Sequence, residues 1–252
     1  MQKLLTDIEK AITTAAGTDQ PRPEERFHKH REFLSYGLKA ADFYEIMKQF
    51  HPRIMDFSLP ECLQLAKALL GRHIGELGSA GIYIIVLRVN ELEPEQFGIL
   101  DGLVDDFRSW SQVDYFCGDV VQPLLEKYTE EVLSLLGKWN TSSNCWKRRA
   151  SVVPFTRKVA KEGRFVEETL KFCENLIRDE EDIVQKGVGW ALKDTMRAAP
   201  QKVKAYVKKL RKQGVSSTIT LYAIRDLKGK EREEILQINK TKEIRKKTKI
   251  KR

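Results

Sequence analysis

Three short islands of polar and aromatic residues interrupt an otherwise apolar, helix-patterned stretch between Arg108 and Asp194. They read SWSQVD (Ser109–Asp114), WKRRA (Trp146–Ala150) and QKGVGWALKD (Gln185–Asp194). A guanidinium can bind phosphate bidentately, and a tryptophan face can pack on a sugar or base or attract a cation. With Trp110, Arg149 and Trp190 as markers, the islands stand 39 and 41 residues apart, within the repeat length of paired-helix solenoids. An aromatic, a cation, an aromatic and one carboxylate, Asp114, are therefore expected on one side of a stack.

Each island admits two explanations. On a helix beginning near Trp110, residues four apart share a face, so Trp110, Asp114 and Gly118 align, while Val113, Phe116 and Val120 form a separate packing arc. Asp114 is then left on a side that need not be buried. Alternatively, Asp114 is an acid of the first turn favoured by the helix dipole, and Trp110 is a capping aromatic. In the third island Val184, Val188, Ala191, Leu192 and Thr195 cluster in one arc, and Lys186, Trp190 and Lys193 form the opposite stripe. Gly187 and Gly189 each cost a helix about 1 kcal/mol relative to alanine. Either a ligand approaches there, or neighbouring helices pack closely. In the middle island Lys147, Arg148 and Arg149 fan around the helix and cannot all face one ligand. At least one faces solvent or a carboxylate, and the repeat interval selects Arg149 as the aligned cation.

The elements that must hold these islands read as helices. Leu4, Leu5, Ile8 and Ile12 recur at helical intervals over Gln2–Ala16, and the chain then breaks at GTDQPRPEE. Arg26–Leu34 and Lys39–Phe50 read as the next pair, with Pro52 blocking extension. Ser58 before Pro60 starts a helix to Leu70, with Gly71 as a stop. Gly75–Val89, containing GIYIIVLRV, could be a buried strand by its β-branched residues. We assign it as helix, because a lone strand would leave its backbone groups unpaired. Further helices are expected over Phe97–Phe107, Ser111–Lys127, Glu130–Trp139, Cys145–Ala160, Glu167–Arg178, Asp182–Ala199, Lys202–Gln213 and Ser217–Leu227. No strand–helix alternation, Gly-rich phosphate loop or GxSxG elbow is present. The expected fold is all-α, a solenoid of about six HEAT-like helical pairs with a concave basic face. It occupies residues 1–238 as one domain, followed by a basic tail over 239–252.

That tail matters to the charge argument. The 252-residue chain carries a formal net charge of +9, which points to an acidic partner. Eight basic side chains against Glu243 place +7 of it in Asn239–Arg252, so overall basicity does not show that the body binds DNA. Cys62, Cys117, Cys145 and Cys173 stand far apart without a CxxC and are expected as buried, reduced thiols. His28 and His30 form an HxH without further ligands at helical spacing, so no metal and no cofactor are expected. No apolar stretch approaches a membrane span and no signal pattern opens the chain; a cytoplasmic, monomeric protein is expected.

Together the islands resemble the DNA alkylation repair glycosylases of the HEAT-like, AlkD type. The pattern W-x-x-VD is met by Trp110, Val113 and Asp114, and W-x-x-RA by Trp146, Arg149 and Ala150. QK-x-x-GW-x-L followed by a cation is met by Gln185, Lys186, Gly189, Trp190, Leu192 and Lys193. The resemblance covers Phe97–Ala199 most clearly. It implies removal of positively charged N3- or N7-alkylated purines from double-stranded DNA by hydrolysis of the N-glycosidic bond, without flipping the lesion into a base pocket. It also implies that Asp114 stabilises the developing oxocarbenium sugar and positions water, that Trp110 and Trp190 pack on the deoxyribose backbone, and that Arg149 holds a phosphate. Arg148, Lys186 and Lys193 are further candidate DNA contacts. The chain departs from the family at Ser109-Trp110, where a tryptophan doublet is common. It departs again at Gly37–Tyr44, where the family's G-[VI]-x-x-P-x-x-R lacks its proline and arginine. Two other readings remain: a non-catalytic HEAT-like protein binding bent, branched or damaged DNA, and a helical scaffold for protein partners.

Overall fold

A computed structural model describes residues 1–24 and 33–238. His28, His30, the start of the helix expected from Arg26, and the basic tail lie outside the described residues. The chain forms two compact units that divide between Leu135 and Leu136.

In the first unit, α1 (Gln2–Ala16), α2 (Ala40–Met55), α3 (Leu59–Leu70) and α4 (Gly75–Leu87) are followed by α5 (Phe97–Val104), α6 (Trp110–Phe116) and α7 (Gln122–Lys127). The stripe Leu4, Leu5, Ile8 and Ile12 of α1 is buried against Phe43, Met47, Phe50 and Ile54 of α2 and against Cys62, Leu65 and Leu69 of α3. α3 opens where the sequence indicates. Ser58 is its N-cap and Glu61 returns a carboxylate to the Ser58 N–H at 2.9 Å, forming a capping box. α4 is helical, not a strand. Leu77, Ala80, Ile82, Ile84 and Ile85 leave little of its circumference exposed, as expected of a central helix.

Two expectations fail in this unit. α2 runs through Pro52 to Met55. Interior proline costs a helix about 3 kcal/mol, but the turn beyond it buries Ile54, which is worth roughly 1.5–3 kcal/mol. Arg53 also pairs with Asp7 at 2.7 Å. Leu34 is not helical. Leu34–Ser35 forms a short strand, β2, antiparallel to β1 (Arg22–Pro23). Buried Glu76, near the start of α4, fixes the chain that follows. Its carboxylate accepts the Ser35 hydroxyl at 2.8 Å and the N–H groups of Tyr36, Gly37 and Leu38 at 3.0–3.1 Å. Gly37 turns at φ 82, in the left-handed region that glycine tolerates.

α8 (Thr129–Asn140) spans the division between the units. The second unit continues with α9 (Cys145–Ala150), α10 (Arg157–Glu162), α11 (Val166–Leu176), α12 (Asp182–Thr195), α13 (Pro200–Lys212) and α14 (Ser217–Ala223). Residues 229–238 are also helical, an element the sequence reading missed. α12 packs against α9, α11 and α14. The single helix expected over Cys145–Ala160 is broken: α9 ends at Ala150, Val153–Phe155 forms a 3-10 turn and α10 begins at Arg157. Pro154 explains the break, since it has no N–H to offer the carbonyl of Ala150 and its ring crowds that position. The long helix expected over Ser111–Lys127 is wound as a π-helix over Cys117–Val121. Pro123, two residues beyond, has no N–H for the carbonyl of Asp119, and wider winding relieves that mismatch.

The basic composition is largely neutralised on α13. Lys202 pairs with Glu167, Lys204 with Glu231 at 2.5 Å, Lys208 with Glu234 at 3.1 Å, and Lys209 with Glu174 at 3.2 Å. Cys62, Cys117 and Cys173 are buried free thiols and Cys145 is half-buried. Among the described residues no helix is long and apolar enough to cross a membrane.

Glu76 is the prop of the 35–38 turn. Replacing it with alanine leaves several inward-facing donors without their acceptor, and Glu76→Ala is expected to lose roughly 2–3 kcal/mol of stability. Urea unfolding followed by circular dichroism measures this; an unchanged midpoint would mean that the turn is held by something else.

Candidate nucleic-acid interface

α6 carries the first island, and its start is built from Gln112. Ser109 is the N-cap and Gln112 the N3 residue of a reciprocal capping box. The Gln112 Oε1 accepts the Arg108 N–H at 2.7 Å and the Ser109 N–H at 3.2 Å. The Ser109 hydroxyl lies 2.9 Å from that of Ser111. Gln112 reaches this place because α4 has a glycine opposite it; a Cβ on Gly78 would fall 2.2 Å from Nε2 of Gln112.

With the cap fixed at Ser109, Trp110 is the first residue of α6 and Asp114 the fifth. Asp114 therefore lies beyond the first turn, which removes the dipole explanation for its presence. Trp110 stands 38% exposed. Asp114 is only 9% exposed, against the expectation of an open side, because α6 is enclosed on most of its surface: Gln112, Val113 and Phe116 are buried as well. Val113, Phe116 and Val120 occupy the packing arc as expected. Tyr115 lies edge-on to Tyr44 with ring centroids 6.4 Å apart. Burial, reinforced by Tyr44, pushes its phenol well above the ordinary range, so it stays protonated beside Asp114.

The second and third islands meet within the second unit. Asn144 caps α9 by accepting the Trp146 N–H at 2.8 Å, and Trp146 is buried. Arg149 is 5% exposed, and its Nη1 donates to the carbonyl of Ile183, in the first turn of α12, at 2.6 Å. Gly187 lies against this arginine, but a Cβ there would sit 3.4 Å from Arg149 Cγ and Val152 Cγ2, an ordinary contact distance. Gly189 faces α14; a Cβ there would fall 2.7 Å from Tyr222 Cβ and 3.0 Å from the Ile219 carbonyl. Gly189 thus serves packing between helices, the second of the two explanations the sequence leaves open.

Arg148 faces a carboxylate, as one of the three fanned cations must. Its Nε lies 2.6 Å from Asp179 Oδ2, and Nη1 reaches the carbonyls of Ser142 and Ser143 at 3.0 and 2.8 Å. The Asp179 hydrogen bond raises its pKa above the ordinary arginine value. Gln185 ties the region together, donating to the Asp179 carbonyl at 2.7 Å and accepting the hydroxyl of Ser216, the cap of α14, at 2.6 Å.

On α12, Val184, Val188, Ala191, Leu192 and Thr195 are buried as expected. The opposite stripe is only partly real. Lys186 is exposed and lies 2.7 Å from Asp182. Trp190 is half-buried. Lys193 is 8% exposed and turned inward, its Nζ 2.9 Å from Asp194 Oδ1 and 3.6 Å from Asp226; the carboxylates draw it out of the stripe. Sequence reading missed Arg157, whose guanidinium carbon lies 5.3 Å from the Trp190 ring centroid. No local pattern marks it, because the partner is 33 residues away on α12.

The chain is thus a helical protein with aromatic and cationic side chains presented in one unit and, in the other, a nearly enclosed carboxylate one helical turn from an exposed tryptophan. Comparison makes this specific. The DNA alkylation repair enzyme family matches residues 8–227, and the chain belongs to that family. A protein described as a predicted DNA alkylation repair enzyme from Enterococcus faecalis has the same fold, with a TM-score of 0.69 at 19% identity, over 83% of this chain and 99% of that one. Pseudomonas fluorescens alkylpurine DNA glycosylase AlkC, bound to DNA containing an abasic site analog, aligns with a TM-score of 0.53 at 16% identity. That match spans 88% of this chain and 62% of AlkC. No curated protein matches the chain.

Gly189→Val tests the packing role of this glycine. Overpacking against Tyr222 and Ile219 is expected to cost about 1–3 kcal/mol, lowering the thermal midpoint in calorimetry. A variant as stable as the parent would return Gly189 to the list of ligand-facing positions.

Proposed function

We propose that this protein is a DNA glycosylase that hydrolyses the N-glycosidic bond of N3- and N7-alkylated purines in double-stranded DNA. The observation that carries the reading is Asp114, a carboxylate 9% exposed, one helical turn from Trp110, 38% exposed. Membership of a DNA alkylation repair family and likeness of fold to a glycosylase solved with abasic DNA support it.

The chemistry suits a site with one carboxylate. Alkylation at N3 or N7 leaves the purine cationic, so the C1′–N bond can break without a general acid: its electron pair neutralises the departing base. Positive charge moves onto C1′ and the ring oxygen of the sugar. A fixed carboxylate in an enclosed setting stabilises that charge more than it would in water. Water then adds its oxygen to C1′ and gives up a proton, for which Asp114 is the acceptor. Trp110 and Trp190 pack against the sugar-phosphate backbone, Arg149 supports a phosphate contact, and Lys186 adds a surface cation. Its ion pair with Asp182 is of the exposed kind worth under about 1 kcal/mol, so a phosphate can take it over. Arg148 contributes by tying α9 to Asp179, and Lys193 by tying α12 to Asp226. No base pocket is required, because the lesion need not leave the stack.

Incubating the protein with duplex DNA containing 7-methylguanine and measuring released base is the direct test. Asp114→Asn is expected to reduce release by roughly 10²-fold or more while duplex binding survives. Binding without release by the unaltered protein would replace this reading with that of a non-catalytic DNA-binding protein. Truncation after residue 238 removes +7 of charge and is expected to weaken binding and flatten its salt dependence while base release persists. Loss of all binding would place the DNA site in the tail.

A further inference from the structure

Arg157 has an unusual backbone. Its φ is 56, in the left-handed region that side chains other than glycine rarely adopt, and it begins α10 directly after extended Thr156. Such a conformation persists only where the surroundings over-determine it, and it gathers at functional sites. Here the determinant is Asp194, 2% exposed, whose Oδ2 accepts the Arg157 N–H at 2.8 Å. The other oxygen of Asp194 takes Lys193 at 2.9 Å, with Arg197 at 3.7 Å. The carboxylate therefore fixes the Arg157 backbone while its charge is answered by other cations.

What this achieves is placement of the side chain. Arg157 is exposed, and its guanidinium lies over Trp190 at 5.3 Å from the ring centroid. Among the described residues no carboxylate pairs with that guanidinium. Several other surface cations of the same unit are paired: Lys158 with Glu162 at 3.6 Å, Lys186 with Asp182 at 2.7 Å and Arg197 with Asp226 at 3.2 Å. A guanidinium stacked on an aromatic ring spends its face on the ring and keeps its in-plane N–H donors for a partner at the edge. The partner that fits a planar fork of donors is a pair of phosphate oxygens.

We propose that Arg157 is a phosphodiester-binding residue, aimed by Asp194 and held ready by Trp190. The inference rests on the reading that the Trp190 side of the second unit touches DNA, and it changes the part assigned to Trp190: the face under Arg157 is a platform for the cation and is not offered to a sugar. It also accounts for the aspartate that closes the third island, which the proposed chemistry leaves without a task.

The test uses the full chain and an undamaged DNA duplex, with affinity followed by fluorescence anisotropy across a range of salt concentrations. Arg157→Gly removes the guanidinium while relieving the backbone, so it is expected to fold at least as well as the parent. Its affinity should fall about tenfold, and the slope of log affinity against log salt should be shallower by about 0.9, one phosphate contact. Arg157→Lys should keep the slope and recover part of the affinity, which a purely structural role would not produce. Parent-like affinity and slope in Arg157→Gly would overturn the proposal. Because binding is read without base release, an inactive protein that still shows the altered slope would refute the glycosylase reading alone. Failure of the unaltered chain to bind duplex would refute both.

Discussion

Helix α12 can sit among α9, α11 and α14 only because its closest approach, at Gly189, carries no side chain. At Gly187 the space is less tight: an added Cβ would stand 3.4 Å from Arg149 Cγ, an ordinary contact, beside the guanidinium that reaches the Ile183 carbonyl. At Gly189 the space belongs to Tyr222 and the Ile219 backbone. Glycine inside a helix costs about 1 kcal/mol against alanine, and a 14-residue helix carrying two of them is stabilised mainly by what it packs against. The consequence reaches the surface: once α12 is pinned on these sides, Trp190 and Lys186 face outward and Asp194 is carried inward to meet the Arg157 backbone. A packing constraint thus sets which groups of the third island can meet a ligand.

Much of this was legible in the sequence where a local rule had no strong competitor. The start of α3 at Ser58, the apolar stripe of α1 and the buried arcs of α6 and α12 follow from spacing alone. Several failures share a cause, a distant group that outweighs the local rule, whereas the break at Pro154 and the π-winding before Pro123 are local proline effects. Proline at 52 should end α2, but buried Ile54 lies beyond it. Leu34 reads as helix, yet Glu76, some 40 residues later, gathers the neighbouring N–H groups into a turn. Lys193 sits on the outward stripe of a helical wheel, and two carboxylates draw it inside. Asp114 was expected in the open because a wheel shows one helix at a time and not what encloses it. Arg157 had no sequence signal, since its conformation depends on a contact with Asp194.

The repeat behind the three islands is better seen from the caps than from the tryptophans. Trp110 is the first residue of α6, Arg149 the fifth of α9 and Trp190 the ninth of α12, so the markers do not occupy equivalent positions. The N-caps Ser109, Asn144 and Glu181 do, at intervals of 35 and 37 residues. Counted from them, the fifth residues are Asp114, Arg149 and Lys186, one anion and two cations. A fifth residue lies past the turn in which the helix dipole favours anions, so none of these charges is there to stabilise the start of its own helix. Arg149 reaches the Ile183 carbonyl of α12, Lys186 stays at the surface, and Asp114 is enclosed. The same place in three helices has been put to three uses.

The charge distribution separates attraction from discrimination. With +7 of the net +9 in residues 239–252, and the α13 lysines answered by glutamates, the helical body has little net field with which to collect DNA. Counterion release at a basic segment is indifferent to sequence and damage, so it can raise residence on DNA without telling an alkylated purine from a normal one. Discrimination has to come from groups whose effect depends on position. A carboxylate that stabilises positive charge at C1′ favours bases that leave as neutral molecules, which are the cationic ones. On the proposed glycosylase chemistry the body does not need to be basic: a strongly positive surface around Asp114 would oppose a positive charge developing at C1′, and a near-neutral body with a few aimed contacts suits that chemistry.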